Sequence, residues 1–150
     1  MKLKVKYLFD NLHELSSKPD DSGYDLRACI QNPIIIEPHG KATIPTGIAV
    51  EVDDDYICLD NEVSIELQVR PRSGHTMRGL VAQFGTIDKG YRGEISVTVI
   101  NHSNIQCEIQ PLERIAQLVI CPIFKPEVIT VKSLSNTDRG SKGFGSSGII

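Results

Sequence analysis

In residues 63–69, VSIELQV, apolar Val63, Ile65, Leu67 and Val69 alternate with polar Ser64, Glu66 and Gln68. Successive side chains of a β-strand point to opposite faces, so this pattern buries one face and wets the other. The same period of two returns at Ile95, Val97 and Val99, with Ser96 and Thr98 between them, while helical spacing is nearly absent. Further strands are expected at 2–8, 34–37, 42–52, 105–109, 115–120 and 127–131. Pro33, Pro38, Pro45, Pro71, Pro111, Pro122 and Pro126 punctuate these runs, as suits a residue with no N–H to give a ladder. Many short strands with regular turns predict an all-β fold, a jelly-roll-like sandwich or barrel. One short helix is expected across 73–79, capped by Ser73 and stopped by Gly79.

At 150 residues, 40% of them hydrophobic, the chain should form one domain with a sizeable core. Residues 139–148, RGSKGFGSSG, are too rich in glycine and serine to pack. The expected division is a β-rich domain, 1–136, and a flexible arm, 137–150. A net charge of −3 leaves no basic excess for general binding to nucleic acid or a membrane surface, so neither is an expected partner. No apolar run approaches the ~18 residues of a membrane span. The first residues, MKLKVKYLFDNL, alternate lysines with apolar residues instead of forming a signal peptide's continuous apolar core, which points to the cytoplasm. The four cysteines and four histidines are scattered, without the spacing of a disulfide framework or a structural zinc site. No GxSxG serine-hydrolase signal is present.

Chemistry concentrates in GTIDKGYRGEI, residues 85–95. Lys89-Gly90 between apolar runs is a hairpin signal, and Asp88 stands beside that turn. Strand ends and turns present reactive side chains to solvent. Aspartate is also an ordinary turn former, so this segment alone leaves both readings open. Arg72 precedes the short helix, whose free N–H groups and positive dipole end suggest a phosphate seat. Gln117 puts an amide on an apolar strand, and a buried amide needs partners, with a ligand phosphate a good candidate. Arg139, Lys142 and Phe144 interrupt the glycine-rich arm. Basic residues on such a backbone can close over an anion, and one aromatic can stack on a base.

In order and separation, SGYDLRA (22–28), PRSG (71–74), GTIDKGYRGEI (85–95), ERIAQ (113–117) and RGSKGFGSSG (139–148) resemble the five motifs of the trimeric dUTP pyrophosphatases (dUTPases). The resemblance implies a Mg²⁺-dependent homotrimer that hydrolyses dUTP to dUMP and pyrophosphate at sites shared between subunits. It implies Asp88 as the carboxylate activating the attacking water and Tyr91 as the aromatic packed on the deoxyribose. Asp25 would be the partner of Mg²⁺ through water. Arg72, Ser73, Gly74 and Gln117 would contact phosphates, and Gly85 would belong to the substrate-binding set. Arg139 would hold the terminal phosphate, and Phe144 would stack over the uracil when the arm closes. These residue types suit the reaction. An ionised carboxylate can orient and deprotonate water; arginines, N–H groups and Mg²⁺ offset the triphosphate charge.

Two departures from that pattern stand out. Leu112 occupies the place where the fourth motif usually has Gly. The segment GLVAQFG, 79–85, is short and lacks the usual Asn for the base edge, although part of the uracil-reading hairpin is expected there, around Ala82, Gln83, Phe84 and Gly85. Two other functions share the fold. A dCTP deaminase carries a Glu about ten residues after the third-motif Asp and usually a Trp in place of Tyr91. Here Thr98 stands at that position and the chain has no Trp; a threonine cannot act as general acid or base near neutral pH. A dUTP-binding regulatory module would need no turnover. The presence of Asp88, Tyr91 and the whole arm favours the enzyme.

Overall fold

A computed structural model describes residues 1–10, 12–53, 63–141 and 143. In chain order these residues form β1 (Lys2–Tyr7), β2 (Tyr24–Arg27), β3 (Ile34–Ile36), β4 (Lys41–Pro45), β5 (Ile48–Asp53) and β6 (Val63–Arg70). Helix α1 (Ser73–Met77) follows, then β7 (Leu80–Ala82), β8 (Gly85–Asp88), β9 (Ser96–Asn101), β10 (Cys107–Ile109) and β11 (Arg114–Phe124). The strands pair antiparallel as β2-β11-β6-β8, β4-β9-β7, β1-β5 and β10-β3. This nearly all-β architecture is the jelly-roll-like one expected. Among the described residues no helix is long and apolar enough to cross a membrane.

The run at 63–70 is central to the larger sheet, with its alternation intact. Ile65, Leu67 and Val69 are buried, while Ser64, Glu66, Gln68 and Arg70 line the opposite, half-buried face. Leu67 packs into one core with Leu26, Ile44, Leu80, Ile95 and Leu118, contributed by both larger sheets and their connections. Each such side chain removed from water contributes roughly 1.5–3 kcal/mol.

Several expected elements differ. The run at 42–52 divides into β4 and β5 at Gly47, which has φ 72°. A Cβ there would press on Leu12 and on Cys29 Sγ, so the break needs glycine. The strand at 115–120 lengthens to Phe124 and passes through Pro122. Beyond Leu118 it pairs with β6 alone, so the proline lies on an edge that needs no donor. The strand expected at 127–131 does not form. Val128 and Ile129 are 93% and 70% exposed, and among the described residues no strand follows Phe124.

Two turn expectations also fail. Asp88 and Lys89-Gly90 do not join a hairpin, because β8 pairs with β6 while β9 pairs with β4 and β7. The segment around Ala82–Gly85 is likewise no hairpin but a crossover between sheets, held where Gln83 N–H donates to the Thr98 carbonyl at 2.7 Å. Ser73 is not the helix cap. Arg72 occupies that position without a side-chain cap bond, and Ser73 is the first helical residue. Gly79, at φ 79°, ends the turn as expected.

Candidate active site

One polar groove gathers four of the candidate residues, Asp25, Arg72, Ser73 and Gln117. Lys18, Asp20, Asp21, Asp25, Arg72, Ser73, Arg114 and Gln117 line it. Asp25 on β2 and Gln117 on β11 are direct cross-strand partners, and Gln117 also faces Arg70 on β6. Gly23 lets β2 come this close: a Cβ there would sit 2.9 Å from both the Leu118 carbonyl and Val119 Cγ2. The Asp25 carboxylate is ion-paired with Arg72 Nη1 and lies 3.3 Å from Arg114 Nη1. Partial burial, and then the neighbouring Arg114 charge, push the Arg72 pKa down from the usual arginine range, yet an arginine remains a cation at neutral pH.

The Gln117 amide has a partner within the chain. Its Nε2 donates to the Pro71 carbonyl at 3.1 Å, which anchors the Arg72 segment to β11. The expected polar partner of that donor is thus the Pro71 carbonyl, where a ligand phosphate had been the candidate. Ser73 and Gly74 are exposed at the start of α1, and a Cβ on Gly74 would meet nothing within 4 Å. Packing within the chain does not demand a glycine there. At five residues the helix is too short for much of a macrodipole, so attraction for an anion rests mainly on Arg72, Arg114 and Lys18. Arg114 was absent from the expected site set. Its place in ERIAQ, at the head of a largely apolar strand, was the available signal.

Asp88 and Tyr91 line a second groove with Thr86, Ile87, Glu94, Ile95 and Ser96. Asp88 is exposed at the end of β8, and its carbonyl accepts from Tyr91 N–H at 2.9 Å. The Tyr91 hydroxyl donates to the Glu94 carbonyl at 3.1 Å, and a Cβ on Gly93 would collide with the Tyr91 ring. Glu94 in turn accepts from Gly47 N–H at 2.8 Å, and Ile95 N–H donates to Ile48 at 2.9 Å. The turn carrying Asp88 is thus bolted to the start of β5. Gly85 pairs with Val69 on β6, and a Cβ there would meet Val69 at an ordinary 3.7 Å.

The two grooves share the outward face of the four-stranded sheet but stand apart. Asp88 lies opposite Glu66, four residues along β6 from Arg70, which faces Gln117. Four residues at ~3.3 Å and three strand spacings at ~4.8 Å put Asp88 on the order of 19 Å from Asp25. Arg139 stands in the exposed coil beyond β11, where the Thr137 carbonyl accepts from Gly140 N–H at 3.0 Å. Phe144 lies outside the described residues. Among the described residues no three His, Cys, Asp or Glu side chains cluster as a metal cage.

Sequence and structure comparisons converge on one family. The dUTPase family model matches residues 14–148. A deoxyuridine 5'-triphosphate nucleotidohydrolase of Nautilia profundicola is 42% identical over 152 aligned positions, covering 99% of each chain. The protein of that name from Picosynechococcus is 43% identical across 85% of this chain and 84% of its own. Among solved structures, the Staphylococcus bacteriophage 80alpha dUTPase with dUPNHPP superposes with a TM-score of 0.82 at 30% identity, covering 99% of both chains. With the family model spanning nearly the whole described fold and both grooves, the chain belongs to the dUTPase family.

Proposed function

We propose that this protein hydrolyses dUTP to dUMP and pyrophosphate in the cytoplasm, as a homotrimer whose sites are each built from more than one subunit. The observation that carries this reading is the polar groove, where Arg72, Arg114 and Lys18 stand among Asp20, Asp21 and Asp25. A groove of both signs suits a triphosphate accompanied by a divalent cation better than a bare polyanion. Relatives at about 42% identity named for dUTP hydrolysis support it.

In this reading, Asp88 takes a proton from a water whose oxygen attacks the α-phosphorus. The bond from that phosphorus to the bridging oxygen breaks, and pyrophosphate leaves. Arg72, Ser73, Gly74 and Gln117 hold the phosphates, with Arg114 beside them. When bound, Mg²⁺ would offset phosphate charge. The residues fit it in an outer-sphere manner: Asp25 is engaged by two arginines, so it can orient the ion's water shell more readily than ligate it directly. Tyr91, fixed against Gly93, packs on the deoxyribose and leaves no room for a 2′-hydroxyl. The arm from 137 to 150 brings Arg139 to the terminal phosphate and Phe144 over the uracil.

The spacing supports sharing between subunits. A separation on the order of 19 Å exceeds what one α-phosphate site can bridge, so Asp88 of one copy would complete the phosphate groove of another. Phe124, Val128 and Leu134, 79%, 93% and 85% exposed, offer apolar surface for such contacts. The direct test is Asp88→Asn. It preserves shape and removes the base, so dUTP binding should stay within about twofold while kcat falls by about 10²–10⁴. Wild-type turnover in that variant would sink the role given to Asp88.

A further inference from the structure

His75 lies three residues after Arg72 in α1 and is buried, 7% exposed. Its Nε2 is 3.0 Å from Glu113 Oε1, and the same oxygen accepts from Arg78 Nη1 at 2.9 Å. The other carboxylate oxygen accepts from Gln110 N–H at 2.8 Å. Glu113 immediately precedes Arg114, and its carbonyl accepts from Ala28 N–H at 2.9 Å. One carboxylate therefore ties α1 to the head of β11. His75 Nδ1 is buried without a hydrogen-bond partner. An apolar side chain would fill the slot with no such orphan, so simple packing does not account for an imidazole here.

We propose that His75 is a positioning residue for polyphosphate binding. Its Nε2–H···Glu113 bond sets α1 against β11, and with it the spacing of Arg72 and Ser73 from Arg114 and Gln117. The inference rests on the reading of that groove as the phosphate site. The charged groups facing the ring are Glu113 from the turn before β11 and Arg78 and Arg72 from the two ends of α1. Burial first, and then the two arginine charges, lower the His75 pKa against the opposing pull of Glu113. The ring is thus neutral near pH 7. Protonation would strengthen the Glu113 bond itself, but it would add a buried N–H with no acceptor and a charge facing two arginines, which together disfavour the seat of α1.

The experiment compares wild type, His75→Leu and His75→Gln in steady-state dUTP hydrolysis across about pH 5 to 8, with thermal melting in parallel. Leucine removes both the donor and the orphan nitrogen, while glutamine retains a donor for Glu113. His75→Leu should raise KM about fivefold to tenfold with kcat within about twofold, and His75→Gln should recover most of that loss. Wild-type KM should rise as pH falls below the ordinary histidine value of 6.5, and His75→Leu should lack that rise. A folded His75→Leu protein with wild-type KM and pH profile would overturn the positioning role. If leucine does not fold, the glutamine variant decides: loss of the wild-type KM despite its donor counts against the bond. Should wild type release no pyrophosphate from dUTP, the proposed function fails instead. Calorimetry with inorganic tripolyphosphate then reads the positioning claim, which requires weaker binding by His75→Leu.

Discussion

Leu112 has φ 62°, a left-handed conformation in which a Cβ crowds the backbone by roughly 1–2 kcal/mol. The turn holds because Leu112 N–H donates to the Ala28 carbonyl at 2.8 Å and its own carbonyl accepts from Arg27 Nη1 at 3.0 Å. Leu112→Gly should relieve the strain and raise stability by about 1 kcal/mol in urea unfolding; unchanged or lower stability would mean that lost side-chain packing outweighs it. This site was legible in advance, since the leucine stood where the motif usually has glycine. Gln117 was legible only as an anomaly. An amide on an apolar strand signals a polar partner, but sequence does not say that the partner is the Pro71 carbonyl. Arg114 stood within the fourth motif without a role of its own, because an arginine at a strand end is commonly just solvated.

At the scale of elements, the long alternating runs were readable and the short or unpaired ones were not. The strand β6 carries four apolar residues at period two, whereas three-residue β7 is too short to show a period. Turn chemistry misled at Lys89-Gly90, since it marks a reversal of direction without saying which strand will be the neighbour. The pairing is decided by the core: Ile95 and Val97 are buried between the sheets, carrying the chain into the second sheet. The run at 127–131 shows that pattern without a ladder partner is insufficient. Asn101, at the end of β9, illustrates a long-range tie. Its Nδ2 donates to the Ile36, Glu37 and Ile105 carbonyls at 3.0, 3.2 and 2.7 Å, and its Oδ1 accepts from Ser103 N–H at 2.9 Å. Asn101 is fully buried, so Asn101→Ala should cost about 3 kcal/mol by leaving these groups unpaired. A loss below about 1 kcal/mol by chemical denaturation would show that water replaces the amide.

For the molecule as a whole, the decisive feature is the split between the two grooves. Five motifs in order point to one chemistry, yet a linear sequence cannot show which motifs meet within a subunit and which meet between subunits. If sites are shared as proposed, Asp88→Asn and Arg72→Gln should each be nearly inactive alone, and hybrids assembled from both should regain measurable turnover. No recovery in verified hybrids would place both groups' work within one subunit. The most direct measurement remains pyrophosphate release with Mg²⁺ from dUTP, dCTP, dTTP and UTP in parallel. Release from dUTP alone is the predicted result, with rejection of UTP supporting Tyr91 as the gate at the sugar. Tight dUTP binding without release from any of the four would contradict the account and favour a regulatory module, and ammonia release from dCTP would point to a deaminase.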